Sequence, residues 1–246
     1  MATLTLDSPH NRNALSTPLL TQLREGLAAA IADPAVRVVK LDHAGPVFSS
    51  GADLKETEQA RASGRIPVAM LADALAELWE CPKPVVARIA GPTRAGGIGL
   101  VAAADIAICA TNATFAFTEV RLGVIPAVIS STVLPRLSRR AAARLYLTGE
   151  VCGGEYAAEI GLVTAAVPAT QLDQTVDKVC EDLLRGAPTA LAGAKELLRR
   201  TPNSDIRAEL AELSALSVGY FQSEDAIEGA SAFRDKRDPR WVVAPR

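Results

Sequence analysis

Lys83-Pro84-Val85-Val86-Ala87-Arg88-Ile89-Ala90-Gly91-Pro92-Thr93-Arg94-Ala95-Gly96-Gly97-Ile98-Gly99-Leu100 is the stretch around which the chain is organised. Its first half, Val85 to Ala90, is a short apolar run bounded by Pro82 and Pro84 and reads as a buried strand. Gly91 and Pro92 break that strand, and Gly96-Gly97 precede an Ala-rich run, Ile98 to Ala104, that reads as a helix. A strand feeding a glycine turn and then a helix start leaves backbone N–H groups unpaired and aimed at one spot. Glycine there lets a ligand atom approach the amide closely. A tight turn with no ligand is the other reading of the same residues.

Outward from this stretch the pattern repeats. Thr3 to Leu6 alternates like an opening strand. Ser16 or Thr17 caps a helix with Pro18 in its first turn and leucines carrying it to Ala32. Val36 to Leu41 reads as a strand, and Val47 to Lys55 as a second small-residue turn before a helix. Helical periodicity runs from Val68 to Trp79, Ile106 to Cys109 is another strand, and an apolar helix follows Pro126 through Leu137. Beyond that the chain is mainly helical, with an interruption at Val163 to Val167. Strands alternating with helices predict an α/β domain over residues 1–190 and a helical portion over 191–246.

Composition narrows the functions. The 246 residues, 49% hydrophobic and 22% charged, suit a globular enzyme. A net charge of −2 and 4% aromatics give no electrostatic or stacking case for nucleic acid. The opening residues carry no basic segment followed by an apolar core, so no secretory signal is expected. No apolar run is long enough for a bilayer span, and a cytoplasmic location without membrane partners is expected. Cys81, Cys109, Cys152 and Cys180 form no paired motif and are expected as reduced structural thiols. Two histidines, His10 and His43, in no ligand cluster argue against zinc, and a metal site is not expected. No G-x-S-x-G elbow or phosphate-binding lysine loop occurs. Gly97-Ile98-Gly99-Leu100-Val101-Ala102 fits a dinucleotide fingerprint, with Glu119 beyond it, but the strand Ile106 to Cys109 ends without an acid.

The two small-residue turns considered together suggest another chemistry. Ala52 and Gly96 could each supply one N–H to a single oxygen that becomes negative during reaction. At these residues the sequence resembles the crotonase superfamily, the enoyl-CoA hydratases and isomerases, along nearly its whole length. The matching runs are Asn13-Ala14-Leu15-Ser16, Phe48-Ser49-Ser50-Gly51-Ala52-Asp53-Leu54-Lys55, and Lys83-Pro84-Val85 leading to Ala95-Gly96-Gly97. Ala104-Asp105-Ile106, Phe117-Thr118-Glu119-Val120-Arg121-Leu122-Gly123, and Ser223-Glu224-Asp225-Ala226 with Phe233 complete the set. The order and spacing of these runs are specific, though each alone is weak.

The resemblance implies a spiral of β-β-α units followed by a C-terminal helical trimerisation region, in trimers or pairs of trimers. It implies an acyl-CoA thioester substrate with no separate cofactor, coenzyme A being part of the substrate. Carried over residue by residue, Ala52 and Gly96 form the oxyanion hole and Glu119 is the catalytic carboxylate. Ala52, Asp53, Leu54 and Lys55, together with Arg12, Gly97 and Gly99, line the substrate site. Lys236 or Arg237 from a neighbouring subunit would meet the nucleotide phosphate. Asp53 could equally cap the following helix and Arg12 could be a solvated charge. The position of Glu119 after Phe115 and Phe117 predicts burial and a raised pKa.

Two departures bear on mechanism. Hydratases with two carboxylates place a second glutamate three residues after the oxyanion-hole glycine, where this chain has Gly99. That leaves the place to water or a bulkier acyl group, and leaves both hydration by a lone glutamate and double-bond isomerisation open. Ile125-Pro126-Ala127-Val128-Ile129-Ser130 replaces a glycine-rich run and resembles a bacterial branch that includes 3-methylglutaconyl-CoA hydratase-like proteins. Arg94 and Arg121 could pair a substrate carboxylate or be solvated. A nicotinamide-dependent oxidoreductase and an inert CoA-binding paralogue are the alternatives from other classes. Leucines at helical spacing between Thr189 and Arg237 predict a stripe buried against neighbouring subunits.

Overall fold

Runs such as Val85–Ile89 and Ile106–Ala110, rich in Val, Ile and Ala, suit a sheet covered on both sides, while Ala2–Leu6 and Val39–His43 alternate apolar with polar residues. In the computed structural model, which describes residues 1–53, 55–58 and 68–242, such runs form a five-stranded parallel sheet. Its strands are β1 (Ala2–Leu6), β2 (Val39–His43), β3 (Val85–Ile89), β5 (Ile106–Ala110) and β8 (Ala165–Val167), in the order β1-β2-β3-β5-β8. Register pairs Leu4 with Leu41, Val39 with Val85, and Ile89 with Cys109. A smaller sheet joins β4 (Thr93–Arg94) in parallel to β6 (Thr114–Ala116), and β6 antiparallel to β7 (Cys152–Gly153). Phe48, Phe115, Phe117 and Ile98 are fully buried in the hydrophobic core.

Helices cover the sheets as the apolar spacing predicts. In α1 (Thr17–Ala32) the Ser16 hydroxyl accepts from the Leu19 amide, and Leu19, Leu20, Leu23 and Leu27 point inward. The helices α2 (Val68–Glu80), α3 (Gly96–Ala103) and α4 (Ala127–Val133) pack on one another. They are followed by α5 (Arg139–Thr148), α6 (Gly154–Glu159) and α7 (Leu172–Leu184). Helix α3 begins two residues before the apolar run does, because Gly96 and Gly97 themselves enter the first turn. Strand β2 starts three residues later than its apolar run, after a turn in which the Val36 amide donates to the Asp33 carbonyl. The apolar helix after Pro126 stops at Val133 and tightens to a 3-10 turn, Leu134–Arg136, since Pro135 has no N–H for the ladder.

The chain forms two compact units, Met1–Cys180 and Glu181–Arg246, where the sequence reading had 1–190 and 191–246. The second unit holds α8 (Pro188–Arg199), α9 (Ile206–Phe221) and α10 (Glu224–Arg234), the last two capped by the side chains of Asp205 and Ser223. The Tyr220 hydroxyl lies directly over Gly193, a place where any side chain on α8 would collide. All four cysteines are buried and none is in a disulfide. Among the described residues no helix is long and apolar enough to cross a membrane.

Candidate active site

Three loops converge, and the hydrogen bonds between them explain why. Asn13, with no exposed surface, sits in the left-handed region at φ 53°. Its side-chain amide donates to the carbonyls of Ala44 (2.9 Å) and Val47 (2.8 Å), and its Oδ1 accepts from the Ser8 amide (2.7 Å). The Ser49 hydroxyl donates to the Asn13 carbonyl at 2.9 Å, and the Leu15 amide donates to Gly51 O at 2.8 Å. Sequence reasoning gave Asn13 no such role. Apart from Ser8, its partners lie more than thirty residues away, beyond any local signal.

The second junction joins residues 48–52 to residues 92–97. Amides of Phe48 and Arg94 donate to Pro92 O (3.0 Å) and Ser49 O (2.9 Å). Gly51, at φ +89°, lies so close that a Cβ would stand 2.9 Å from Ala95 Cβ, and a Cβ on Gly97 would stand 2.6 Å from Ser49 Cβ. These two glycines are therefore required by the approach of one turn to the other. Ala95 adopts φ 47°, ψ −120°, a conformation normally left to glycine, immediately before Gly96. The strain sits at the junction and aims the next amides.

The amides of Ala52, Gly96 and Gly97 have no acceptor among the described residues. The Gly96 and Gly97 amides open α3, where a helix has no internal acceptor to offer. Two neighbouring turns thus present free N–H groups, the arrangement that stabilises an oxyanion.

Glu119 opens a 3-10 turn, Glu119–Leu122, two residues after the buried Phe117. Its Oε2 is buried and has no hydrogen-bond partner among the described residues, and desolvation raises its pKa above the ordinary carboxylate value. This is the state expected from the flanking phenylalanines.

The remaining residues singled out in the sequence divide. Asp53 Oδ1 accepts from the amides of Lys55 (3.0 Å) and Glu56 (3.1 Å), and Asn11 Nδ2 donates to its Oδ2 at 3.3 Å, so Asp53 is a cap. The Arg12, Lys55 and Lys236 side chains are exposed with no ion pair among the described residues, whereas Arg237 is paired with Glu228 at 2.7 Å. Leu54 lies outside the described residues. The space at Gly99 is not open to water or an acyl group. A Cβ there would stand 2.6 Å from Ile129 Cγ2 and 3.3 Å from Leu75 Cδ1, because α4 packs directly against α3. Arg94 donates to the carbonyls of Thr93 (2.9 Å) and Thr114 (2.8 Å), and Arg121 donates to Thr148 O at 3.1 Å. Neither pairs with a carboxylate among the described residues.

A sequence model of the family described as enoyl-CoA hydratase/isomerase matches residues 1–243. The chain belongs to the enoyl-CoA hydratase/isomerase family. Its relatives include the carnitinyl-CoA dehydratase of Escherichia coli K12, 33% identical over 97% of this chain and 93% of that protein. Among solved structures, an enoyl-CoA hydratase from Mycobacterium avium is 45% identical, covers 97% of this chain and 92% of its own, and gives a TM-score of 0.73. Pseudomonas aeruginosa AtuE is 33% identical, covers 98% and 95%, and gives a TM-score of 0.90. Membership makes this chain an enzyme with the crotonase fold.

Proposed function

We propose that this enoyl-CoA hydratase/isomerase family member adds water to, or removes it from, an enoyl-CoA thioester, with a single glutamate moving the protons. The observation that carries this reading is the buried, unpartnered Oε2 of Glu119, whose raised pKa suits a group that must both take and return a proton. In the hydration direction Glu119 takes a proton from water as its oxygen bonds to the β-carbon. The C=C electron pair shifts toward the thioester oxygen, which the Ala52 and Gly96 amides receive as an enolate oxyanion. Glu119 then returns the proton to the α-carbon, and the net change is one water added. Each oxyanion donor typically contributes about 10²–10³ in rate and an acid–base group about 10²–10⁴.

The relatives' names support this class, since dehydration of carnitinyl-CoA and hydration of an enoyl-CoA are one reaction run in opposite directions. The exposed cations of Arg12 and Lys55 suit the phosphates of coenzyme A, as does Lys236 of a second copy in an oligomer. Coenzyme A enters as part of the substrate, with no further cofactor. Assembly into a trimer or hexamer is supported by the exposed apolar side chains of the second unit, Leu198 (86%), Phe221 (78%) and Phe233 (87%). Sedimentation equilibrium giving a monomer at micromolar concentration would rule that out.

Double-bond isomerisation is a second reading. The observation favouring it is Ile129, which occupies the space where a second carboxylate on residue 99 would sit. A panel of 2-enoyl-, 3-enoyl- and glutaconyl-type thioesters separates the two by product mass, because hydration adds water and isomerisation does not. No conversion of any thioester, or full conversion by Glu119→Gln, would overturn both.

A further inference from the structure

Tyr146 lies one turn from the end of α5, and its surroundings tie it to Glu119. Its ring stacks on Phe117, two residues before Glu119, with centroids 4.7 Å apart and planes inclined by 38°. The Glu119–Leu122 turn and α5 are in contact, and Arg121 Nε donates to Thr148 O at 3.1 Å. The helix closes with Gly149 at φ +59°, where an added Cβ would be 3.0 Å from Phe117 O. Residues 117–121 and the end of α5 therefore hold one another in place.

The hydroxyl of Tyr146 is oriented as well. Ser130 Oγ donates to Pro126 O, an acceptor only, at 2.7 Å. The 3.3 Å contact between Ser130 Oγ and Tyr146 Oη is then completed by the phenol donating to the serine. The order Tyr146 to Ser130 to Pro126 leaves the phenol oxygen with free acceptor capacity. Burial and the neighbouring Glu119 charge both raise the phenol pKa, so Tyr146 stays neutral where the carboxylate ionises. No hydrogen bond joins the two groups, and Glu119 Oε2 has no partner among the described residues.

We propose that Tyr146, oriented by Ser130, holds the water molecule that Glu119 deprotonates. This rests on the assignment of Glu119 as the acid–base group. One water O–H points to Glu119 Oε2 and the other to Tyr146 Oη, which leaves an oxygen lone pair for the β-carbon. When that oxygen bonds to carbon, Glu119 gains the proton, the C=C pair moves to the thioester oxygen, and the phenol keeps its own proton throughout. The site thus takes its second water ligand from α5, while the space beside Gly99 on α3 is filled by Ile129.

The test compares two activities of the intact enzyme. Hydration of a 2-enoyl thioester needs the held water, whereas exchange of an α-proton of a saturated acyl thioester with deuterium needs only Glu119 and the two amides. Tyr146→Phe keeps the ring stack and removes the hydroxyl. Hydration kcat is expected to fall about ten- to a hundredfold relative to exchange, with little change in KM. Ser130→Ala, which frees the phenol without removing it, is expected to give a smaller loss in the same ratio. An unchanged ratio of hydration to exchange in Tyr146→Phe overturns the proposal while leaving Glu119 in place. A wild-type enzyme that exchanges the proton but hydrates no thioester overturns it too. If Glu119→Gln retains both activities, the underlying assignment fails instead. Should Tyr146→Phe not fold, the Ser130→Ala ratio decides alone.

Discussion

Replacing Gly99 with alanine should destabilise the enzyme, yet the same replacement should stabilise a variant that already carries Ile129→Ala. The reversal follows from one contact. A Cβ on residue 99 would be 2.6 Å from Ile129 Cγ2 and 3.0 Å from Ile129 Cβ, about 1 Å inside the best carbon–carbon separation. Within α3 an alanine is favoured over glycine by about 1 kcal/mol, but forcing a methyl into a filled space costs typically ~1–3 kcal/mol. In the native background the clash therefore outweighs the helix gain, by an amount on the order of 1 kcal/mol. Ile129, 2% exposed, leaves a void on truncation and should cost about 2–5 kcal/mol. In that background the 2.6 Å contact with Cγ2 is gone, only the milder 3.0 Å contact with the remaining Cβ has to give, and much of the helix gain of about 1 kcal/mol emerges. Urea denaturation of the four proteins gives the coupling energy, expected at about 1–3 kcal/mol. Additive effects would show that α4 does not close the space beside Gly99. The functional corollary is that Gly99→Glu alone should misfold or lose stability. Combined with Ile129→Ala it should fold and gain hydration of a crotonyl thioester.

Glu119→Gln should stabilise the protein at pH 7–8, because the native fold holds a carboxyl whose pKa is raised by burial and must ionise it there. That gain should disappear as the pH falls below about 4.3, the ordinary glutamate value, where the carboxyl is protonated folded and unfolded alike. Unfolding midpoints measured across that range test the sign; a Glu119→Gln protein less stable at pH 8 would contradict it. His43 works in the other direction. Its Nε2 accepts from the Ala90 amide at 3.0 Å, and burial lowers its pKa below 6.5 despite the opposing Asp42 charge. Above that value the folded and unfolded rings are both neutral. As the pH falls through it the unfolded chain takes the proton first, so stability should drop by up to about 1.4 kcal/mol per pH unit. His43→Gln should flatten that slope between pH 5 and 6.5, and an unchanged slope would place the acid sensitivity elsewhere. Ala95→Gly should relieve the positive-φ strain, worth roughly 1–3 kcal/mol, against an unfolded-state loss of about 0.4–1 kcal/mol. A melting temperature raised by a few degrees is the expected result; a lowered one would mean that Ala95 is unstrained.

What the sequence made legible was local. The glycine turn at 91–97, the serine cap of α1, the strand at Val85 and the burial of Glu119 behind Phe115 and Phe117 each depend on neighbours within a few residues. These signals follow from backbone chemistry and hydrophobic periodicity. What stayed illegible was set by distance along the chain. Nothing near Gly99 announces that Ile129, thirty residues on, occupies its space, and nothing near Asn13 announces its carbonyl partners at 44 and 47. Asp53 was ambiguous for another reason. A carboxylate one residue after the turn can cap a helix or face a ligand with the same sequence signature, and only the amides of Lys55 and Glu56 decide the matter. Glu56 shows the same principle. As a nearby carboxylate it could have served in place of Glu119, but both its oxygens accept from the Thr17 amide, at 3.1 and 2.8 Å, holding the start of α1.

The distribution of satisfied and unsatisfied groups carries the functional argument one step further. Around the two turns nearly every polar side chain is engaged: Asn13 by three groups, Ser49 by two, Asp53 by three. Among the described residues the exceptions include the amides of Ala52, Gly96 and Gly97, the Oε2 of Glu119, and the Nδ1 of His43, whose ring packs on Phe48. A fold selected for stability alone would have closed the buried ones, at Gly96, Gly97 and Glu119, since an unpartnered buried polar atom costs about 1–3 kcal/mol. Donors left open on one pair of turns and an acceptor left open on another element are complementary to a ligand that is itself an acceptor at one end and a proton source at the other. An enolate oxygen and a water molecule have those properties. The rigid hydrogen bonds from Asn13 and Ser49 hold the donors in position before the charge develops, so little of the stabilisation is lost to reorganisation when it does.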